Sequence, residues 1–170
     1  MQLSTAHCSR PRSGETANGD RAYLRTEGSR GLHAVIDALG HGPAAEHAAL
    51  VAVRELDAVT LDEPLDAIAR RVHAVLRGTR GAAMTILLHD EWNLGVLSIG
   101  NVAIRSMRGA KVSILPVAGV LGGVVRAFRV AHTVLVPGTR LVLHSDGVSG
   151  RFDEELCRGP AHEIAARLVR

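Results

Sequence analysis

The sequence predicts an α+β fold in which helices cover antiparallel sheet. Two features carry the prediction. Two amphipathic helical patterns follow one another between residues 43 and 76, and the apolar runs around them are spaced as hairpins. A parallel α/β fold would instead alternate strand and helix one by one.

Taken in order, 21–25 and 32–36 are short apolar-rich runs separated by the turn-like Glu27-Gly28-Ser29-Arg30-Gly31. The second run stops at Asp37, before a Gly-His-Gly turn and Pro43. Proline is favoured in a first helical turn, and Ala45, Ala48, Ala49, Ala52, Val53 and Leu56 then share one face. A second helix carries Leu61, Leu65, Ile68, Val72, Val75 and Leu76 on one side, with Thr60 and Glu63 placed for a capping box. Beyond it, 83–89 and 94–99 read as a hairpin around Asp90-Glu91-Trp92-Asn93. Residues 102–107 and 112–115 read as another around Arg108-Gly109-Ala110. Strands are also expected at 127–136 and, after Pro137-Gly138, at 140–144, with a closing helix at 161–169.

The 170 residues read as a single domain spanning 1–170, with 46% apolar residues and enough length to bury a core. A net charge of +3 invites a nucleic-acid reading, but Lys111 is the sole lysine and the arginines are scattered. Aromatics to stack bases are scarce, so no nucleic-acid partner is expected. Cys8 and Cys157 show neither metal-ligand spacing nor a disulfide framework. The first 14 residues lack an apolar segment of signal-peptide length, and 112–125 is interrupted by Pro116 and glycines. The expectation is a soluble cytoplasmic protein with no membrane partner.

Three acids sit where strands meet glycine-rich turns: Asp20 in Asn18-Gly19-Asp20, Asp37 in Asp37-Ala38-Leu39-Gly40-His41-Gly42, and Asp146 in Ser145-Asp146-Gly147. Such positions suit hard oxygen ligation of Mg²⁺ or Mn²⁺. Zinc would want His and Cys, and the nine histidines show no paired ligand spacing. Asp before Gly is also a common turn dipeptide, which leaves Asp146 and Asp20 open to a purely structural reading. Asp37 and Asp146 each end an apolar strand, however, and a carboxylate there is costly unless paired or on metal.

The segment Val35-Ile36-Asp37-Ala38-Leu39-Gly40-His41-Gly42-Pro43-Ala44-Ala45 resembles the central motif of the SpoIIE-type bacterial serine phosphatases, a branch of the metal-dependent PPM (type 2C) protein phosphatases. Gly78-Thr79-Arg80-Gly81-Ala82-Ala83, Ser98-Ile99-Gly100-Asn101-Val102 and Leu143-His144-Ser145-Asp146-Gly147-Val148 follow in that family's order. The likeness runs from about residue 18 to 150 and is strongest to the short RsbX-like members.

The resemblance implies a two-layer antiparallel β-sandwich flanked by helices (α-β-β-α), with a metal site at one edge of the sheets. Asp37 would bridge two Mn²⁺ or Mg²⁺ ions, with the Ala38 carbonyl as a further ligand, while Asp146 holds one ion and Asp20 orients water. Attack by metal-bound hydroxide would then hydrolyse phosphoserine or phosphothreonine without a covalent enzyme intermediate. Two roles are open to His41, protonating the leaving oxygen or anchoring its turn. Two are open to Arg80 as well, gripping phosphate or forming a structural salt bridge. Asn101 reads as a turn residue.

The family's closing strand with its further Asp has no counterpart before Arg170, and Asp153, Glu154 and Glu155 do not match that motif. Three readings stay open: the second ion is held weakly, another acid substitutes, or the chain is truncated. A missing C-terminal strand would leave a sheet edge unpaired and favour self-association. The implied partner is a phosphorylated STAS-domain or stressosome protein. The alternative is a degenerate phosphatase-like module that binds a phosphoprotein without turning it over. A histidine-kinase-like ATP site shares Asp-x-x-Gly-x-Gly, but the upstream Asn helix and second glycine-rich lid are not found.

Overall fold

The computed structural model describes residues 3–149 and 152–169. Strands β1 (Asp20–Glu27) and β2 (Arg30–Ala38) form a hairpin, followed by helices α1 (Pro43–Ala58) and α2 (Leu65–Val75). Strands β3 (Ala82–Asp90), β4 (Asn93–Ile99), β5 (Ala103–Arg108), β6 (Ala131–Val134) and β7 (Arg140–His144) come next, and α3 (Ala161–Leu168) is the last element. One antiparallel sheet has the order β1-β2-β3-β4-β6, and β5 pairs with β7 in a second, two-stranded sheet.

The side-chain period of two decides how these layers stack. In β2, Leu32, Ala34, Ile36 and Ala38 point to one face and join Met84, Ile86, Leu97 and Ile99 beneath the helices. The α1 stripe of Ala45, Ala48, Ala49 and Ala52 is fully buried there, its small side chains letting the helix lie close on the sheet. Tyr23 adds a tie, its hydroxyl donating to the Leu56 carbonyl at 3.1 Å. On the opposite face, Leu87, Leu94 and Val96 pack against Ile104, Leu141 and Leu143 of the second sheet. Outside that sheet, Ile164 of α3 packs with Phe152 and Cys157 against Met107 and Val142. The layers run α-β-β-α, as the resemblance implied.

Three expectations need correction. Residues 112–115 are not a strand: β5 pairs instead with β7, with Ala103 opposite His144. Residue 112 donates its N–H to the Ser106 hydroxyl at 2.7 Å, and Val112 and Ile114 fill the inter-sheet core from a loop. The long-range partner wins because Leu141 and Leu143 present a regular alternating face, whereas the loop runs into Pro116. The strand expected over 127–136 contracts to β6. Finally, α2 begins at Leu65 rather than 61, because Pro64 is its N-cap. The Thr60 N–H does donate to the Glu63 carboxylate at 2.9 Å, but this closes a turn ahead of the helix. Both cysteines are free thiols. Among the described residues no helix is long and apolar enough to cross a membrane.

Candidate active site

The site grows from the open end of the β1–β2 hairpin. Asp20 stands directly opposite Asp37 in the register. The Ala38 N–H donates to the Gly19 carbonyl at 3.2 Å, so the adjoining Asp20/Asp37 pair is of the non-hydrogen-bonded type, in which side chains approach closest. Both carboxylates lie on the face turned toward the second sheet. Asp146 follows β7 and arrives from that second sheet.

The electrostatics report the convergence. The Asp37 carboxyl is pushed up to about 6, first by burial, then by the charges of Asp20 and Asp146 and a hydrogen bond with Asp20. Like charges this close call for a cation between them. The Ser145 hydroxyl donates to Asp20 Oδ2 at 2.6 Å, and the Asn18 side chain accepts the Asp20 N–H at 3.0 Å. Asp20 is thus oriented from two directions.

The turn after β2 supplies the remaining groups. Gly42, the N-cap of α1, has φ 78° and ψ −168°, a region essentially closed to other residues. Gly40 has φ +84°, and a Cβ there would stand 3.1 Å from Arg80 Nη1. Arg80 therefore lies over this turn, and the structural salt bridge open to it is not formed among the described residues. It borders an open groove of about 610 Å³ with Pro43, Ala44, His47, Gly78 and Thr79. His41 is well exposed and its Nδ1 lies 2.5 Å from Glu15 Oε1. Asn101 is exposed in the bend between β4 and β5.

The donors fit a hard divalent cation. They are the carboxylates of Asp37 and Asp146, with the Ala38 carbonyl at the strand end and Asp20 beside them, and such oxygen sets suit Mg²⁺ or Mn²⁺. Among the described residues, no three or more His, Cys, Asp or Glu side chains stand close enough together to hold a metal ion. An ion that keeps several of its waters matches that open arrangement, whereas a closed zinc cage does not.

The structure brings together Asp20, Asp37 and Asp146, with His41 on the adjoining turn and Arg80 reaching over that turn from the segment before β3. Sequence reasoning missed Glu15 and the tie made by Ser145. Ser145 stood inside a motif, so its place was visible though its bond was not. Glu15 carried no spacing signal.

The family model for stage II sporulation protein E (SpoIIE) matches residues 27–167. A search among curated proteins finds no match. Among solved structures, the chain is 29% identical to one from work on the bacterial stressosome, described as a modular system adapted to control secondary messenger signalling. The TM-score is 0.85, over 92% of this chain and 85% of that one. RsbX in complex with magnesium is similar at 22% identity and TM-score 0.80, over 94% of this chain and 82% of that one. The catalytic domain of the serine/threonine phosphatase PstP with two manganese ions follows at 22% and 0.70, over 98% and 87%. With its α-β-β-α layers and its acids gathered at one sheet edge, the chain belongs to the SpoIIE family and is by class a phosphoprotein phosphatase.

Proposed function

We propose that this chain hydrolyses phosphoserine or phosphothreonine on a regulatory protein of the stressosome type, a STAS-domain component being the leading partner. The observation that carries the reading is the convergence of Asp20, Asp37 and Asp146 from two sheets, whose charges add to burial in raising the Asp37 carboxyl to about 6. The similarity to a stressosome chain supports the partner class, and the likeness to magnesium- and manganese-bound relatives supports the cofactor.

Asp37, Asp146 and the Ala38 carbonyl are the groups that would hold Mn²⁺ or Mg²⁺, with Asp20 orienting water. When bound, the ions acidify the attacking water and neutralise phosphoryl charge. Arg80, its guanidinium free of carboxylate partners among the described residues, grips phosphoryl oxygens at the mouth of the groove. His41 protonates the departing seryl or threonyl oxygen. The groove along Pro43, His47 and Thr79 receives the peptide beside the phosphate.

The test is phosphate release from a phosphoserine peptide and from p-nitrophenyl phosphate, with and without Mn²⁺, for wild type and Asp37→Asn. Metal-dependent turnover that disappears in the variant supports the phosphatase. A folded wild type that binds the phosphopeptide and never releases phosphate would replace this reading with that of a binding module.

A further inference from the structure

The contact between His41 and Glu15 reaches across 26 residues of sequence and ties the segment ahead of β1 to the turn after β2. His41 Nδ1 and Glu15 Oε1 are 2.5 Å apart, an ion-pair contact whenever the imidazole carries its second proton. The carboxylate is the more enclosed partner, with 23% of its side chain exposed against 61% for the imidazole. Its other oxygen, Oε2, is buried without a hydrogen-bond partner and lies 3.8 Å from where a Cβ on Gly42 would stand. The Glu15 N–H donates to the Arg12 carbonyl at 2.9 Å, which pins the turn that presents the side chain.

A buried carboxylate oxygen with no partner is costly, and a structural tether needs no such arrangement on so exposed a turn. An imidazole whose Nδ1 is engaged by a carboxylate is fixed in plane and in tautomer, and only Nε2 remains for a substrate. Here the ring is 61% exposed, on the turn that separates the Asp37 strand from the groove.

We propose that Glu15 is a positioning residue: it holds His41 so that Nε2 delivers a proton to the leaving seryl or threonyl oxygen. The inference rests on the phosphatase reading above. In the step, a water oxygen bonds to phosphorus while the bond from phosphorus to the seryl oxygen breaks, its electron pair staying on that oxygen. The seryl oxygen takes the proton from Nε2. The attacking water keeps one proton in the product phosphate and releases the other to solvent, from which His41 is recharged. The family model starts at residue 27, so Glu15 lies ahead of the part of the chain that the family description covers.

Leaving-group dependence separates this role from a structural one. p-Nitrophenolate departs without help, whereas a seryl alkoxide needs protonation. With the full chain and Mn²⁺, Glu15→Ala and His41→Gln are each expected to reduce kcat on a phosphoserine peptide about 10²-fold. The loss on p-nitrophenyl phosphate should be at least tenfold smaller. The double variant should be no worse than either single one, and Glu15→Gln, which still accepts from Nδ1–H, should recover part of the rate. Equal losses on both substrates in folded variants, or no loss on the peptide, would overturn the positioning role. A wild type inactive on both substrates would instead remove the phosphatase reading on which it stands.

Discussion

The Ser145 hydroxyl donates to Asp20 Oδ2 at 2.6 Å, joining residues 125 apart in sequence. Ser145 closes β7 of the second sheet, and Asp20 opens β1 of the first. The bond therefore spans the two layers at the edge where Asp37 and Asp146 meet. Ser145 is itself buried and Asp20 half-buried. The bond ties the two sheets together beside the gathered acids.

Ser145→Ala is expected to remove this tie and free the Asp20 carboxylate from its link to the second sheet. Stability should fall by about 1 kcal/mol, the usual net worth of such a bond. The Mn²⁺ concentration for half-maximal activity should rise several-fold. A metal titration of phosphatase activity, set beside a urea melt, checks both numbers.

Asp37→Asn should separate stability from function. In metal-free protein near pH 8, Asp37 is held charged against burial and two neighbouring carboxylates. Neutralising it should leave the apo melting temperature unchanged or raise it. Wild type should gain about 2.7 kcal/mol at a hundredfold excess of Mn²⁺ over its Kd, and the variant should gain far less. Thermal melts with and without Mn²⁺ decide the matter.

A pH effect is expected away from the site. His33 and His89 stack with ring centroids 5.4 Å apart, and both ring nitrogens of His33 are buried without a hydrogen-bond partner. Burial, then the neighbouring His89, lowers His33 to about 4. Burial also lowers His89, against the opposing pull of the Ser29 backbone and Asp90. Both groups bind fewer protons folded than unfolded, so their contribution is fully present above about pH 6.5 and is lost as pH falls toward 4. The loss attributable to His33 should be on the order of 2–3 kcal/mol across that window. Urea denaturation from pH 7 to 4 should show the slope, and His33→Leu should flatten it.

Arg80→Lys keeps the charge but gives up the planar fork. It should raise KM for a phosphopeptide about tenfold, with kcat reduced less. A kcat reduced as much as kcat/KM would place Arg80 in the transition state rather than in ground-state binding.

How far the sequence foretold all this depends on which interactions were local. The apolar run ending at Asp37, the Pro43 helix start and the hairpin through Glu91-Trp92 are encoded within a few residues, and each is found within a residue or two of its expected place. The partner of β5 was not legible. A hairpin to 112–115 is the nearest solution along the chain, and only packing of Leu141 and Leu143 against Leu87 and Val96 selects β7. The start of α2 was misplaced because buried Leu61 fits the helical stripe although it sits in the preceding turn. Asp20, Asp37 and Asp146 were legible by their strand-end positions. The register that sets Asp20 against Asp37 was not, nor was Glu15, whose geometry exists only once the chain is folded back on itself.

The pairing of β5 with β7 also orders the making of the molecule. Ala103 meets His144 only after a loop of about forty residues has closed, an entropic toll that local hairpins do not carry. The first four strands and both covering helices all lie before residue 100, and Leu121 joins their core afterwards. During synthesis or refolding, the half bearing Asp20, Asp37, His41 and Arg80 is therefore expected to take shape first. The second sheet then brings Asp146 in to complete it. A helical signal that recovers ahead of Mn²⁺-dependent turnover would be the kinetic trace of an enzyme whose last fold is also its switching-on.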